Sequence, residues 1–309
     1  MVLALLGAVA RRGRWGLVAG LCAGLLMPDV AAVLRVWLPE MVALLLFMTA
    51  LRIGPRAALG SLGDARLTVV TALVFQLVLP LLALLVFRAL GVAHMALPLA
   101  VVLMLAAPSV TGGANFTILL GYDPAPALRM LVVGTALLPL TVVPVLWGAP
   151  MLGDAGAVVL AALRLVAVIG GAVALAFAMR WWLWKAPGPE AMAALDGLTV
   201  IALAVIVVGL MAALGPALER DPGEVVLWLV AVMAVNFGLQ ALCYVVLRRM
   251  GRDDAVPVSI VAGNRNIALF LVALPAEITG PLLIFIGCYQ IPMYLTPVLM
   301  GRLYGRGSG

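Results

Sequence analysis

The sequence predicts an all-α polytopic membrane protein with about ten transmembrane helices, arranged as two inverted five-helix repeats. Three observations predict it. Hydrophobic residues make up 66% of the 309 positions and charged residues only 10%, with a mean hydropathy of +1.24; a soluble domain carries about a quarter charged residues. Apolar runs of roughly 20 residues recur, each long enough to cross about 30 Å of hydrocarbon as a helix, and the alternating segments of a spanning barrel are absent. Two polar stretches of one form, Gly112-Gly113-Ala114-Asn115 and Gly263-Asn264-Arg265-Asn266, interrupt apolar runs half a chain apart.

Residues 1–10 are apolar and precede Arg11, Arg12 and Arg14. That order is wrong for a cleaved signal peptide, so an N-terminal or interfacial helix is expected there. Glycine, proline and charge clusters then divide the chain into spans at 15–34, 38–56, 66–90, 95–121, 126–147, 155–180, 193–215, 223–248, 255–275 and 281–303. No connection is long enough to be a soluble domain. The chain reads as one transmembrane unit, with repeat one over 15–147 and repeat two over 155–303.

Arginine and lysine set the orientation. With the N terminus in the cytoplasm, Arg35, Arg88, Arg164 and Arg220 fall outside, Arg265 lies within a span, and the other fourteen of 19 basic residues fall inside. This is the positive-inside pattern, and it puts both termini in the cytoplasm. Richness in Ala, Gly, Arg and Pro with a single lysine points to a GC-rich bacterial genome, hence an inner membrane.

The net charge of +6 punctuates spans and does not form a nucleic-acid patch. His94 and the isolated Cys22, Cys243 and Cys288 show no metal or disulfide spacing. No nucleophile–base pair is visible, so an enzyme is not expected. A Gly-x-x-x-x-Gly-Lys-Ser/Thr loop is absent, which disfavours an ATP-driven pump.

The fourth and ninth expected spans look like broken helices. Pro108 removes an amide donor, Gly112 and Gly113 weaken helix, and Asn115 and Thr117 can bond freed backbone. In the ninth, Gly263 sits beside Asn264, Arg265 and Asn266. The two asparagines Asn115 and Asn266 are 151 positions apart (266 − 115). Five spans per half would invert one half relative to the other, a recurring transporter architecture. Open helix ends carry partial charges of both signs, so such a pair can hold an anion and a cation side by side. Among the other intramembrane polar residues, Gln76 and Thr135 each precede a proline by four positions, and Asn236 and Gln240 share a helix face. For each, an interhelical packing bond stands beside a functional role.

The order of these motifs resembles the bile acid:sodium symporter superfamily. The resemblance covers nearly the whole chain and rests on Gln76 with Pro80, on Pro108, Gly112 and Asn115, on Thr135 with Pro139, and on Gly263 with Asn266. It implies ten helices in a panel and a core domain, with helices 4 and 9 unwound and crossing. It implies uptake of small organic anions, sodium as the coupling ion, and no other cofactor. Sodium ligands would fall at Gln76, Asn115 and Thr135, with backbone around Val261 to Asn264. Substrate would meet Arg265, Asn115, Asn266, Asn264, Gly112, Gly113 and Gly263. Two positions depart from the family: Val261 stands at its usual acidic ligand and Arg265 at a glutamine. A sodium-independent facilitator or efflux protein of the same fold, or a non-transporting sensor, stays open. The partners expected are a small organic anion and the lipid bilayer.

A guanidinium at mid-span costs at least about 2.5 kcal/mol on insertion scales, and no acidic residue lies well inside any span. Three arrangements follow. The guanidinium bonds the carbonyls of the broken helices as a stand-in for a cation; or it faces a cavity and binds the anion, for which a forked donor is well shaped; or it reaches an aqueous crevice or bonds main chain with no transport role.

Overall fold

The computed structural model describes residues 2–11, 13–60, 65–149 and 155–305. Regular secondary structure among them is helical. Seven helices are long and apolar enough to cross a membrane, or eight if one bent pair counts as a span. Their outer faces expose large apolar side chains, among them Leu85, Leu140, Leu175, Val230 and Leu242. In water so much exposed apolar surface is a liability; against lipid it is the solvated face. The protein is a polytopic α-helical membrane protein.

The chain runs α1 (Val2–Arg11), α2 (Gly13–Leu26), α3 (Pro28–Val36) and α4 (Leu38–Gly60). The expected span 15–34 therefore breaks: Trp15–Leu26 and Pro28–Val36 meet at 106°. Proline disfavours a helical conformation in the residue before it, and Met27 has left the helical region at φ −125°, ψ 66°. Within α4, Gly54 takes φ +73° just before Pro55, a conformation that glycine alone adopts without strain.

Next come α5 (Ala65–Leu73), a π-helical turn at Val74–Val78, and α6 (Leu79–Ala89). The wider turn buries Phe75 and Gln76. Such turns often mark functional positions. The segment expected as one span at 95–121 is α7 (Ala96–Ala106) and α8 (Gly113–Leu119), followed by α9 (Ala125–Gly148) and α10 (Ala155–Trp182). Then α11 (Pro189–Leu210) passes through a 3-10 turn, Met211–Ala213, into α12 (Leu214–Arg220). Asp221 caps α13 (Pro222–Arg249) by accepting from the Glu224 amide at 3.1 Å. The expected span 255–275 is α14 (Ala255–Gly263), a 3-10 turn at Ile267–Leu269 and α15 (Phe270–Ala273). The described chain closes with α16 (Ala276–Leu299) and α17 (Gly301–Tyr304).

Packing sorts the helices into two groups. In one, α1, α2, α3 and α4 lie on α11, and α4 also lies on α10. Glycines permit the close approach: a Cβ on Gly20 would sit 2.7 Å from the Ala204 carbonyl, and one on Gly24 2.6 Å from Met211 Cβ. Small residues serve this purpose in lipid, where dispersion replaces the hydrophobic drive. Arg52 and Asp196 join α4 to α11 at 2.9 Å, an exposed pair worth little. In the other group, α13 packs on α14 and α16, while α5, α8 and α14 pack on α9. The groups meet where α10 contacts α9 and α15, and where α4 contacts α15.

Candidate functional site: the crossing of two broken helices

Helix α7 stops at Ala106, and Ala107 turns extended at ψ 151°. Helix α14 stops at Gly263, and Asn264 turns extended at ψ 96°. The two unwound stretches run antiparallel and pair at Ser109 and Arg265. The Val110 amide donates to the Asn264 carbonyl at 3.0 Å, and the Asn266 amide donates to the Pro108 carbonyl at 2.8 Å. Unwound backbone at membrane depth needs such partners. Pro108 suits the place because it brings a carbonyl and no amide to satisfy.

Arg265 lies at the centre with 2% of its surface exposed. Its Nε donates to the Ala262 carbonyl at 2.9 Å and its Nη1 to the Ala107 carbonyl at 3.1 Å. The guanidinium carbon stands 4.6 Å from the centre of the Phe75 ring, close enough for a cation–π contact. Nη2 has no hydrogen-bond partner. Among the described residues no ion pair includes Arg265. The two accepting carbonyls belong to the C-terminal ends of α14 and α7, where helix dipoles leave partial negative charge. These main-chain bonds belong to the first of the three arrangements and equally to the third, which differ in whether the arginine serves transport.

The crossing is held from behind by side chains. Tyr289 on α16 accepts from the Arg265 amide at 2.8 Å and donates to the Gly263 carbonyl. Its ring stacks on Phe285. In the sequence Tyr289 is marked only by a hydroxyl within an apolar run. Asn264 is fully buried. Its amide nitrogen donates to the Ile260 carbonyl at 2.8 Å, and its oxygen accepts from Asn236 at 3.2 Å and from Thr296 at 3.3 Å. Gln240 donates to Asn236 at 2.6 Å and to Thr296 at 3.1 Å, and accepts from Tyr304 at 3.1 Å. Asn236 and Gln240 are thus interhelical packing bonds.

Two residues expected to meet substrate take part in this network. Asn264 spends its side chain on scaffold bonds, and Gly263 is buried so closely against α13 that a Cβ would lie 2.3 Å from the Asn236 carbonyl. The expected trio Gln76, Asn115 and Thr135 is not joined by hydrogen bonds. Gln76 is buried and accepts from Thr141 at 3.4 Å, with Gly134 leaving room for its amide. Thr135 is buried too, whereas Asn115 is exposed on α8. The reason is helical phase: Thr141, not Thr135, lies on the face of α9 that meets the π turn. Val261 packs in an apolar cluster with Phe75. Gly113 is buried with a hypothetical Cβ 3.2 Å from Ser109 Oγ, while Gly112 and Asn266 are half-buried. Among the described residues, no hydrogen bond holds the side chain of Asn115 or Asn266.

Comparison with family models and with characterised proteins finds no match.

Proposed function

We propose that this protein is a secondary transporter of a small organic anion, working by alternating access like the bile acid:sodium symporter superfamily. The reading places it in a bacterial inner membrane with both termini in the cytoplasm. The observation that carries it is the antiparallel crossing of two unwound apolar segments around a buried cation. Open backbone at membrane depth is tolerated only where protein or a water-filled cavity surrounds it, and intramembrane charge is a mark of function.

Ten spans in two inverted repeats fit this reading. The seven long helices, the bent α2–α3 pair and the two broken pairs α7–α8 and α14–α15 make ten. The halves also carry matching polar ties: Gln76 to Thr141 in the first, Gln240 to Thr296 in the second. The substrate anion would approach the side where Gly112, Asn115 and Asn266 retain exposure, and the group containing α4 and α11 would rock against the group containing α9, α13 and α16. Within this reading Arg265 favours a carrier without sodium coupling, because a guanidinium stands where the family places a sodium-binding side chain.

Counterflow in proteoliposomes tests the proposal. Vesicles preloaded with single members of a panel of small carboxylates and sulfonates should exchange labelled anion saturably, and Asn266→Ala should reduce the exchange about tenfold, as expected for losing one polar contact. If no member exchanges faster than in protein-free vesicles, the transport reading is abandoned.

A further inference from the structure

We infer that Arg265 is a built-in cation that neutralises the paired helix ends at the crossing, and that its removal turns the space it fills into a binding site for a small free cation. The inference deepens the transport reading and rests on it only for what it says about coupling; the site itself is argued from the bonds.

The last carbonyls of a helix lack intrahelical partners, and each helix end carries roughly half a negative charge. Here two such ends converge. The Ala107 and Ala262 carbonyls both accept from one guanidinium, so two half charges meet about one full positive charge. The face of Phe75 adds a third surface that attracts cations. Among the described residues no carboxylate pairs with Arg265, so the charge balance of the site is main chain against Arg265. The side chain is packed: it is the largest of the fully buried ones. Truncation therefore leaves a buried space, two unpaired carbonyls and an aromatic face. Water can bond the carbonyls but carries no charge to balance the poles. A monovalent cation does both.

For coupling, the consequence is that the protein carries its cation with it. A carrier of this kind needs no co-transported cation at the crossing, and its anion flux should ignore the sodium gradient.

The test is thermal unfolding of purified full-length protein in detergent, comparing wild type, R265K, R265Q and R265A in choline chloride. Sodium chloride or guanidinium chloride then replaces choline at constant total salt, with guanidinium kept in the low millimolar range. Wild type and R265K should show no difference among the three cations. R265Q and R265A should melt lower in choline and regain about 5 °C at a hundredfold excess of guanidinium or sodium over Kd. If only R265K among the variants yields folded protein, the need for a charge at this point is upheld. The inference is overturned if R265A or R265Q matches wild type in choline, if neither cation restores a folded variant, or if R265K is lost along with the others. Because no flux is measured, these outcomes are separate from success or failure of the counterflow assay.

Discussion

At the scale of single residues, the crossing depends on what is missing as much as on what is present. Gly263 has no side chain, and this lets α14 end directly against α13. A methyl there would meet the Asn236 carbonyl at 2.3 Å, and backbone has no rotamer by which to move aside. Gly263→Ala should therefore cost about 3 kcal/mol, the upper range for overpacking, and lower the melting temperature by about 6 °C. An unchanged melting curve would mean that the α13–α14 contact is looser than described. Asn264 makes the complementary point. Its motif position suggested a ligand-facing amide, yet every polar atom of its side chain is bonded within the core. Sequence shows that an asparagine stands in the break. It could not show which way the amide turned, because that depends on Thr296, far away in sequence.

At the scale of elements, glycine spacing distinguishes faces that touch a neighbour from faces that do not. Gly20 of α2 approaches the backbone of α11, whereas Gly171 of α10 has nothing within 4 Å of a hypothetical Cβ. Gly20→Ala should destabilise the protein by about 1–3 kcal/mol. Gly171→Ala should be neutral or stabilising by up to about 1 kcal/mol, because alanine favours helix. Urea or thermal melts of the two variants side by side check the contrast; equal effects would deny the α2–α11 packing. The π turn of Val74–Val78 belongs to this scale too. Sequence marked Gln76 and Pro80, and the wider turn is the element that brings Gln76 to Thr141 and Phe75 to the Arg265 guanidinium.

At the scale of the whole molecule, the arrangement of charge makes a topological prediction. Glu219, at the end of α12, and Asp253, between α13 and α14, are both exposed and stand at opposite ends of α13. In a background without native cysteines, Glu219→Cys should react with an impermeant maleimide added outside cells, and Asp253→Cys only after the membrane is opened. The reverse pattern would place the N terminus outside. The same long helix separates the residues, so both reacting from outside would deny that α13 spans at all.

Sequence by itself determined the class and the location of the breaks. Both are local: twenty apolar residues leave a chain little choice but lipid, and proline, glycine and asparagine weaken a helix where they stand. It also marked Arg265 as a charge in need of a partner. The bend at Met27 was less legible, since Pro28 signals a boundary but not an angle. Only the tertiary structure decided what the breaks do to one another. The pairing of Pro108 with Asn266, the meeting of the α7 and α14 ends on one guanidinium, and the support from Tyr289 join residues up to 158 positions apart. Each of these bonds depends on the relative placement of helices, and helix placement is set by packing over the whole bundle, not by the few residues that form the bond.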